Sequence, residues 1–217
     1  MNQETQEFIA ELKTRPDVLG IILFGSWARG NNRPDSDVDL VVIIQTGFKR
    51  TVEYRNKQAF EIIYNTVDGA INFWMTHGDD CAGLWEIAKI LYDKDGSVKL
   101  LQSEAQKIIQ NGKKEIDLFQ VEQYKFSAED EIVAIRALKQ TDVATANLVL
   151  SKMVLFLTEL FFNLRQLWTP APKQRLTKIQ EIMPELHKLL VAFYADDKTL
   201  DERIDLAEEI VVSVFKK

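Results

Sequence analysis

Two aspartates, Asp37 and Asp39, stand one residue apart at the start of a run of β-branched residues. Side chains alternate between the two faces of a strand, so a strand that begins here points both carboxylates in the same direction. Two carboxylates on one face repel each other unless a cation offsets their charge. Because Mg²⁺ binds a few carboxylates together with substrate phosphates, this pair predicts a magnesium site.

A second candidate, Gly25-Ser26, follows a short apolar run that ends at Phe24. A glycine at the end of a strand lets backbone N–H groups approach a phosphate closely. The hydroxyl of Ser26 adds a donor, and a helical turn after it would add the positive end of its dipole. If the two strands are neighbours, a triphosphate lies beside the metal, an arrangement that suits in-line displacement at phosphorus.

The elements that position these residues follow from hydrophobic patterning. Helical spacing predicts a first helix over residues 3–14. Apolar and β-branched runs predict strands over residues 18–24, 38–44 and 59–65. From about residue 70 the pattern becomes helical, with residues 84–91 on one face, and a further helix over residues 98–109 ends at Asn111-Gly112.

Beyond Gly112 the pattern predicts helices alone, over residues 115–140, 142–168, 173–183, 185–195 and 199–215. The predicted fold is therefore α+β. A small mixed β-sheet flanked by helices occupies residues 1–112, and an all-helical bundle follows over residues 113–217. The bundle carries more large apolar residues than a small bundle needs, which predicts a homodimer.

Composition and charge indicate which partners and which cellular compartment to expect. The net charge is −6, so the chain has no overall field that would attract an extended nucleic acid. Cys81 stands alone, which fits a reducing compartment, and the polar start of the chain is unlike a secretory signal. Charged residues interrupt the apolar run over residues 148–167, which predicts a buried helix and not a membrane span. We therefore expect a cytoplasmic protein.

Gly25-Ser26, Arg29-Gly30 and Ser36-Asp37-Val38-Asp39-Leu40, at this spacing, resemble the signature of the polymerase-beta-like nucleotidyltransferase superfamily. The resemblance is greatest to the bacterial branch that contains the kanamycin-type and the minimal nucleotidyltransferases. It implies an enzyme that uses one or two Mg²⁺ ions to move a nucleoside monophosphate from a nucleoside triphosphate to a hydroxyl and releases pyrophosphate. It also implies that residues 1–112 are the nucleotidyltransferase domain and that Arg29 helps to bind the nucleotide.

The resemblance further implies a third carboxylate on the next strand, which completes the metal site or acts as general base on the acceptor hydroxyl. Glu61 is the first choice, because it stands mid-strand among apolar residues. If residues 70–75 form the third strand instead, Asn72 fills that position and the site is degenerate. Glu53 and Asp68 fall in predicted loops or turns and are weaker candidates.

In the helical half, residues 168–173 resemble a loop that several relatives carry between helices. This implies that Lys173 contacts the triphosphate or the acceptor, a task that suits lysine as a point charge.

Several functions remain open from the sequence. The first is an active nucleotidyltransferase whose acceptor is a small hydroxylated molecule, such as an antibiotic, or a protein hydroxyl. The second is a catalytically weak nucleotide- or protein-binding module, such as the antidote half of a toxin pair. A third is a sugar-transferring enzyme, because some of these also use Asp-x-Asp on a metal. In a purely structural interpretation, Glu61 is an ion-paired strand residue.

Overall fold

The structure is a computed structural model that describes residues 1–216. Its backbone contacts divide the chain into two compact units, the first over Met1–Asn111 and the second beginning at Gly112. The first unit contains a β-sheet and helices, and the described part of the second contains helices only.

The first unit begins with a helix and then alternates strands with helices. Its elements are α1 (Gln3–Thr14), β1 (Val18–Phe24), α2 (Gly25–Arg29), β2 (Val38–Ile44), β3 (Lys49–Arg55), β4 (Gln58–Asn65), α3 (Val67–Thr76), α4 (Gly78–Trp85), β5 (Lys89–Asp93) and α5 (Ser97–Asn111). The described strands form one sheet in the order β3-β4-β2-β1-β5. Strands β2 and β4 are parallel and the other neighbours are antiparallel, so the predicted mixed sheet and α+β class are confirmed.

The two faces of the sheet are covered by different elements. On one face, Phe60, Ile62 and Tyr64 of β4 are buried in a cluster that also contains Phe8, Ile9 and Leu12 of α1. On the other face, Ile22, Val41 and Ile43 of β1 and β2 are buried with residues of α3, α4 and α5. This alternation along each strand fixes which side chains face the core.

Three sequence expectations differ from the structure. Residues 84–91 do not share one helix, because α4 ends at Trp85 and the backbone of β5 pairs with β1. Strand β3 was not predicted, since its residues are exposed or only partly buried and show no apolar alternation. Residues 70–75 lie in helix α3, so the alternative that placed Asn72 on a strand is wrong.

The second unit consists, in its described part, of α6 (Leu118–Leu138), α7 (Val143–Leu164), α8 (Pro172–Ile182), α9 (Pro184–Phe193) and α10 (Leu200–Phe215). By length and composition alone, α7 could cross a membrane, with 22 residues and a mean hydropathy of 1.5. Nine of its residues are buried, and its apolar ones form the centre of the core of this unit. A core helix passes the same test of length and composition.

Candidate active site

Strands β2 and β4 bring the three candidate carboxylates together. Because the strands are parallel neighbours, Asp39 lies directly opposite Glu61, and Asp37 precedes β2 by one residue. One carboxylate oxygen from each of the three residues lies within 4.8 Å of the others. Asp37 is exposed, whereas Asp39 and Glu61 are partly buried. This donor set suits a hard divalent cation, which prefers oxygen ligands.

The Gly25 corner meets the same cluster. Phe24, the last residue of β1, is paired with Asp39, and Gly25 follows with φ +67°. A Cβ atom at Gly25 would lie 1.8 Å from Oδ2 of Asp39, so only glycine allows this close approach. Helix α2 starts at Gly25, which places Ser26 in its first turn, and Gly30 follows the helix as its C-cap in a left-handed conformation.

The segment that leads into Asp37 is held by hydrogen bonds to Ser36. The Ser36 carbonyl accepts from Trp27 Nε1 at 3.3 Å and from Gln58 Nε2 at 2.8 Å. The Ser36 hydroxyl accepts from the backbone N–H of Arg33 at 2.9 Å. These supporting residues are not among the candidates predicted from the sequence. The available signal was Gln58, because the alternation of β4 places this polar side chain on the buried face, where it is 6% exposed.

Glu61 also has a cationic neighbour that the sequence analysis missed. Arg50 of β3 donates two hydrogen bonds to Oε1 of Glu61, one from Nε at 2.8 Å and one from Nη2. The Glu61 side chain is 26% exposed and that of Arg50 is 65% exposed. The prediction that Glu61 is ion-paired is therefore confirmed. The same side chain also belongs to the acidic cluster. Finding Arg50 required the prediction of β3.

The remaining candidate residues lie on several different elements. Arg29 is the last residue of α2, and Lys173 lies in the first turn of α8 in the second unit. Glu53 lies on β3 and Asp68 in the first turn of α3, and neither belongs to the three-carboxylate group. The nucleotide contacts of Ser26, Arg29 and Lys173 stay predictions.

Residues 5–73 match the family model of the nucleotidyltransferase domain, a range that includes the Gly25 corner and all three carboxylates. Residues 5–73 therefore contain a nucleotidyltransferase domain, which supports a nucleotidyltransferase enzyme of the polymerase-beta-like superfamily. No curated protein matches the chain significantly.

Two solved structures are similar to this chain to different degrees. A nucleotidyltransferase-like protein from Exiguobacterium sibiricum has a TM-score of 0.51 and 14% identity, covering 98% of this chain and 73% of that chain. Spectinomycin adenyltransferase from Enterococcus faecialis, solved with ATP and spectinomycin, has a TM-score of 0.40 and 15% identity, covering 98% of this chain and 99% of that chain. At this identity the first likeness concerns the fold alone.

Proposed function

We propose that the chain uses Mg²⁺ to move a nucleoside monophosphate from a nucleoside triphosphate to the hydroxyl of a small molecule, releasing pyrophosphate. Nucleotidyl transfer in general follows from the domain family. The observation that supports the finer proposal is the meeting of three carboxylates within 4.8 Å, one of which touches the Gly25 corner. This arrangement offers ligands for a cation and backbone donors for phosphate at one place.

Asp37, Asp39 and Glu61 are the residues that would hold Mg²⁺. When bound, the ion neutralises charge on the phosphate oxygens and orients them. The first-turn N–H groups of α2 and the Ser26 hydroxyl would bind the phosphates, because these N–H groups have no partner within their own helix. Arg29 and Lys173 are proposed as further cationic contacts to the nucleotide.

The proposed transfer step is an in-line displacement at the α-phosphorus. The acceptor hydroxyl oxygen forms a bond to the α-phosphorus while the bond between that phosphorus and the pyrophosphate oxygen breaks. The hydroxyl proton passes to a carboxylate, and the bridging oxygen leaves with pyrophosphate. Glu61 is the proposed proton acceptor, because its strand β4 is separated from β1 and the Gly25 corner by β2, so that Glu61 lies on the side of the cluster away from the proposed phosphate site.

Calorimetric titration with ATP, GTP, CTP and UTP, with and without Mg²⁺, tests the nucleotide half of this proposal. We expect binding that depends on Mg²⁺ and is lost in Asp37→Asn. Asp35→Asn is a matched control, because Asp35 is an exposed aspartate paired with Arg33 outside the three-carboxylate group. Binding that does not need Mg²⁺, or that both variants weaken equally, would contradict the proposal.

The alternative, a nucleotide-binding module with little or no turnover, is favoured by one observation. The Arg50 side chain already occupies Oε1 of Glu61 and so competes for the third carboxylate. Measurement of pyrophosphate release across neutral, anionic and polycationic hydroxyl-bearing acceptors, and across protein hydroxyls, separates the two functions. Mg²⁺-dependent binding without release from any acceptor would favour the module.

A further inference from the structure

The face of the sheet that carries the acidic cluster changes character from one side to the other. On β1 and β2 this face is apolar and buried under helices, as at Ile22 and Val41. On β4 the side chains of the same face, Ala59, Glu61 and Ile63, are only partly buried. The face therefore becomes accessible from the acidic cluster towards β3.

Pairing places two exposed apolar side chains next to Glu61 on this accessible part. Val52 of β3 lies directly opposite Glu61, which lies opposite Asp39, so the three form one row across three strands. Neighbouring strands are about 4.8 Å apart, so Val52 adjoins the cluster. Tyr54, two residues further along β3, shares this face and lies opposite the small side chain of Ala59.

The exposure of these two side chains requires an explanation. Val52 is 52% exposed and Tyr54 is 73% exposed. Single exposed apolar residues are normal on a protein surface, but a valine and a tyrosine side by side, continuing the row of an acidic cluster, form a local apolar platform. The small Ala59 leaves the ring of Tyr54 without a bulky neighbour at that pairing position.

We infer that Val52 and Tyr54 form the platform on which the acceptor lies, with a flat apolar ring face on these side chains and a hydroxyl directed to Glu61. The inference rests on the proposed function, because it takes the acidic cluster as the reaction centre. It assigns the acceptor to the class of ring-bearing alcohols, such as aryl compounds or sugars with an apolar ring face. Aromatic side chains bind such faces by stacking.

The charge beside the platform narrows this class. Arg50 shares the face of Val52 and Tyr54 and is 65% exposed, with its guanidinium next to Glu61. A guanidinium donates hydrogen bonds to oxygen and repels ammonium groups. The acceptor group that meets Arg50 is therefore neutral or anionic and not an ammonium group, although Arg50 is itself paired with Glu61 and stands beside two further carboxylates.

A methyl NMR titration of the full chain tests the inference, with valine methyl groups labelled and Mg²⁺ and a non-hydrolysable ATP analogue present. The probes are phenyl β-D-glucopyranoside, which is neutral and ring-bearing, and kanamycin, which is polycationic. We expect the glucoside to shift the Val52 methyl signals. Tyr54→Ala should weaken its binding about tenfold, the scale of an aromatic contact plus its buried area, while Tyr54→Phe retains it.

Phe126→Ala is the matched control, since Phe126 is an aromatic residue of similar exposure on α6. It should leave glucoside binding unchanged, and Tyr54→Ala should leave Mg²⁺-dependent ATP binding unchanged. No shift at Val52, an affinity that Tyr54→Ala does not alter, or tighter binding of kanamycin at Val52 would overturn the inference. Failure of the proposed function would give a different result. The unaltered chain would then show no Mg²⁺-dependent binding of ATP, whether or not the glucoside shifts the Val52 methyl signals.

Discussion

On one face of β4, Phe60, Ile62 and Tyr64 are buried with α1, whereas on the other face Glu61 lies beside Asp39 and Arg50 and is partly open to solvent. The same strand contributes side chains to a core and to the proposed reaction centre because these side chains alternate with a period of two. A slip of one residue would move Glu61 into the core and Phe60 into the site. The apolar face therefore sets the register that places the carboxylates together.

The comparison predicts that the largest loss of stability comes from the buried face. Phe60 is fully buried, so Phe60→Ala should lower the free energy of unfolding by about 3–5 kcal/mol, from lost burial and the cavity left behind. Denaturant unfolding measures this change. The folded fraction should still bind nucleotide with Mg²⁺, because Phe60 points away from the acids. A loss below about 1 kcal/mol would show that this face does not hold the register.

On the other face, a substitution should affect activity and spare stability. Asp37→Asn should reduce the rate of nucleotidyl transfer by about 10²–10³-fold, the scale of losing one group that stabilises charge in a transition state. Because the change removes one of three like charges within 4.8 Å, stability should be unchanged or higher. Pyrophosphate release and thermal unfolding of Asp37→Asn and Asp35→Asn provide the two readouts. A large loss of stability in Asp37→Asn alone would contradict this division.

A substitution at Gly25 should affect both stability and nucleotide binding, because its backbone has a positive φ and it adjoins Asp39. Gly25→Ala should cost about 1–2 kcal/mol from its positive φ and should also displace the Asp39 carboxylate, which lowers Mg²⁺–ATP affinity. Gly47→Ala is the matched control, because Gly47 has φ +94° but open space around its Cβ position. We expect similar losses of stability in both variants and a loss of affinity in Gly25→Ala alone. Equal affinities would show that Asp39 does not need this corner.

The smallest effect is expected at the rim of the buried face. The Arg15 guanidinium donates hydrogen bonds to Asp17 and lowers the pKa of that carboxyl, and Arg15 also lies over the ring of Tyr64. A lowered folded-state pKa stabilises the fold above the unfolded pKa near 4, and this contribution disappears as pH falls through the folded pKa. Both side chains are well exposed, so the contribution is below about 1 kcal/mol.

Urea unfolding between pH 7 and pH 3 measures this contribution. The stability of the unaltered chain should fall slightly more steeply below about pH 4 than that of Asp17→Asn. Parallel curves would mean that the Arg15–Asp17 pair contributes nothing to folding.

Hydrophobic patterning in the sequence predicted the strands whose side chains are largely apolar. Strands β1, β2 and β4 begin and end within one residue of the expected limits, because β1 and β2 are mostly apolar and β4 places large apolar side chains on one face. The two edge strands, β3 and β5, were missed, because pairing with a neighbour decides their structure and their own side chains stay partly or largely exposed. Because β3 was not predicted, the positions of Arg50, Val52 and Tyr54 beside the candidate site could not be predicted either.

The candidate ligands show the same division. Asp37, Asp39 and Gly25 could be chosen from local spacing, since all three stand at strand ends marked by their own neighbours. Glu61 depended on the resemblance for its role and on the β4 pattern for its position, and the structure places it opposite Asp39. The hydrogen bonds of Ser36 with Trp27 and Gln58 join different elements, so the alternation of β4 could predict that Gln58 is buried but not which group it meets.

The parallel pairing of β2 with β4 has an evolutionary consequence. Two strands that run the same way need a connection that returns the chain to its starting side, and here β3 is that return path. Mutations and insertions in β3 would alter the side chains that adjoin Glu61. Strands β2 and β4, which carry the candidate ligands, would keep their register. Under the proposed function, a lineage could thus change its choice of acceptor by remodelling a single hairpin, without altering the proposed catalytic carboxylates.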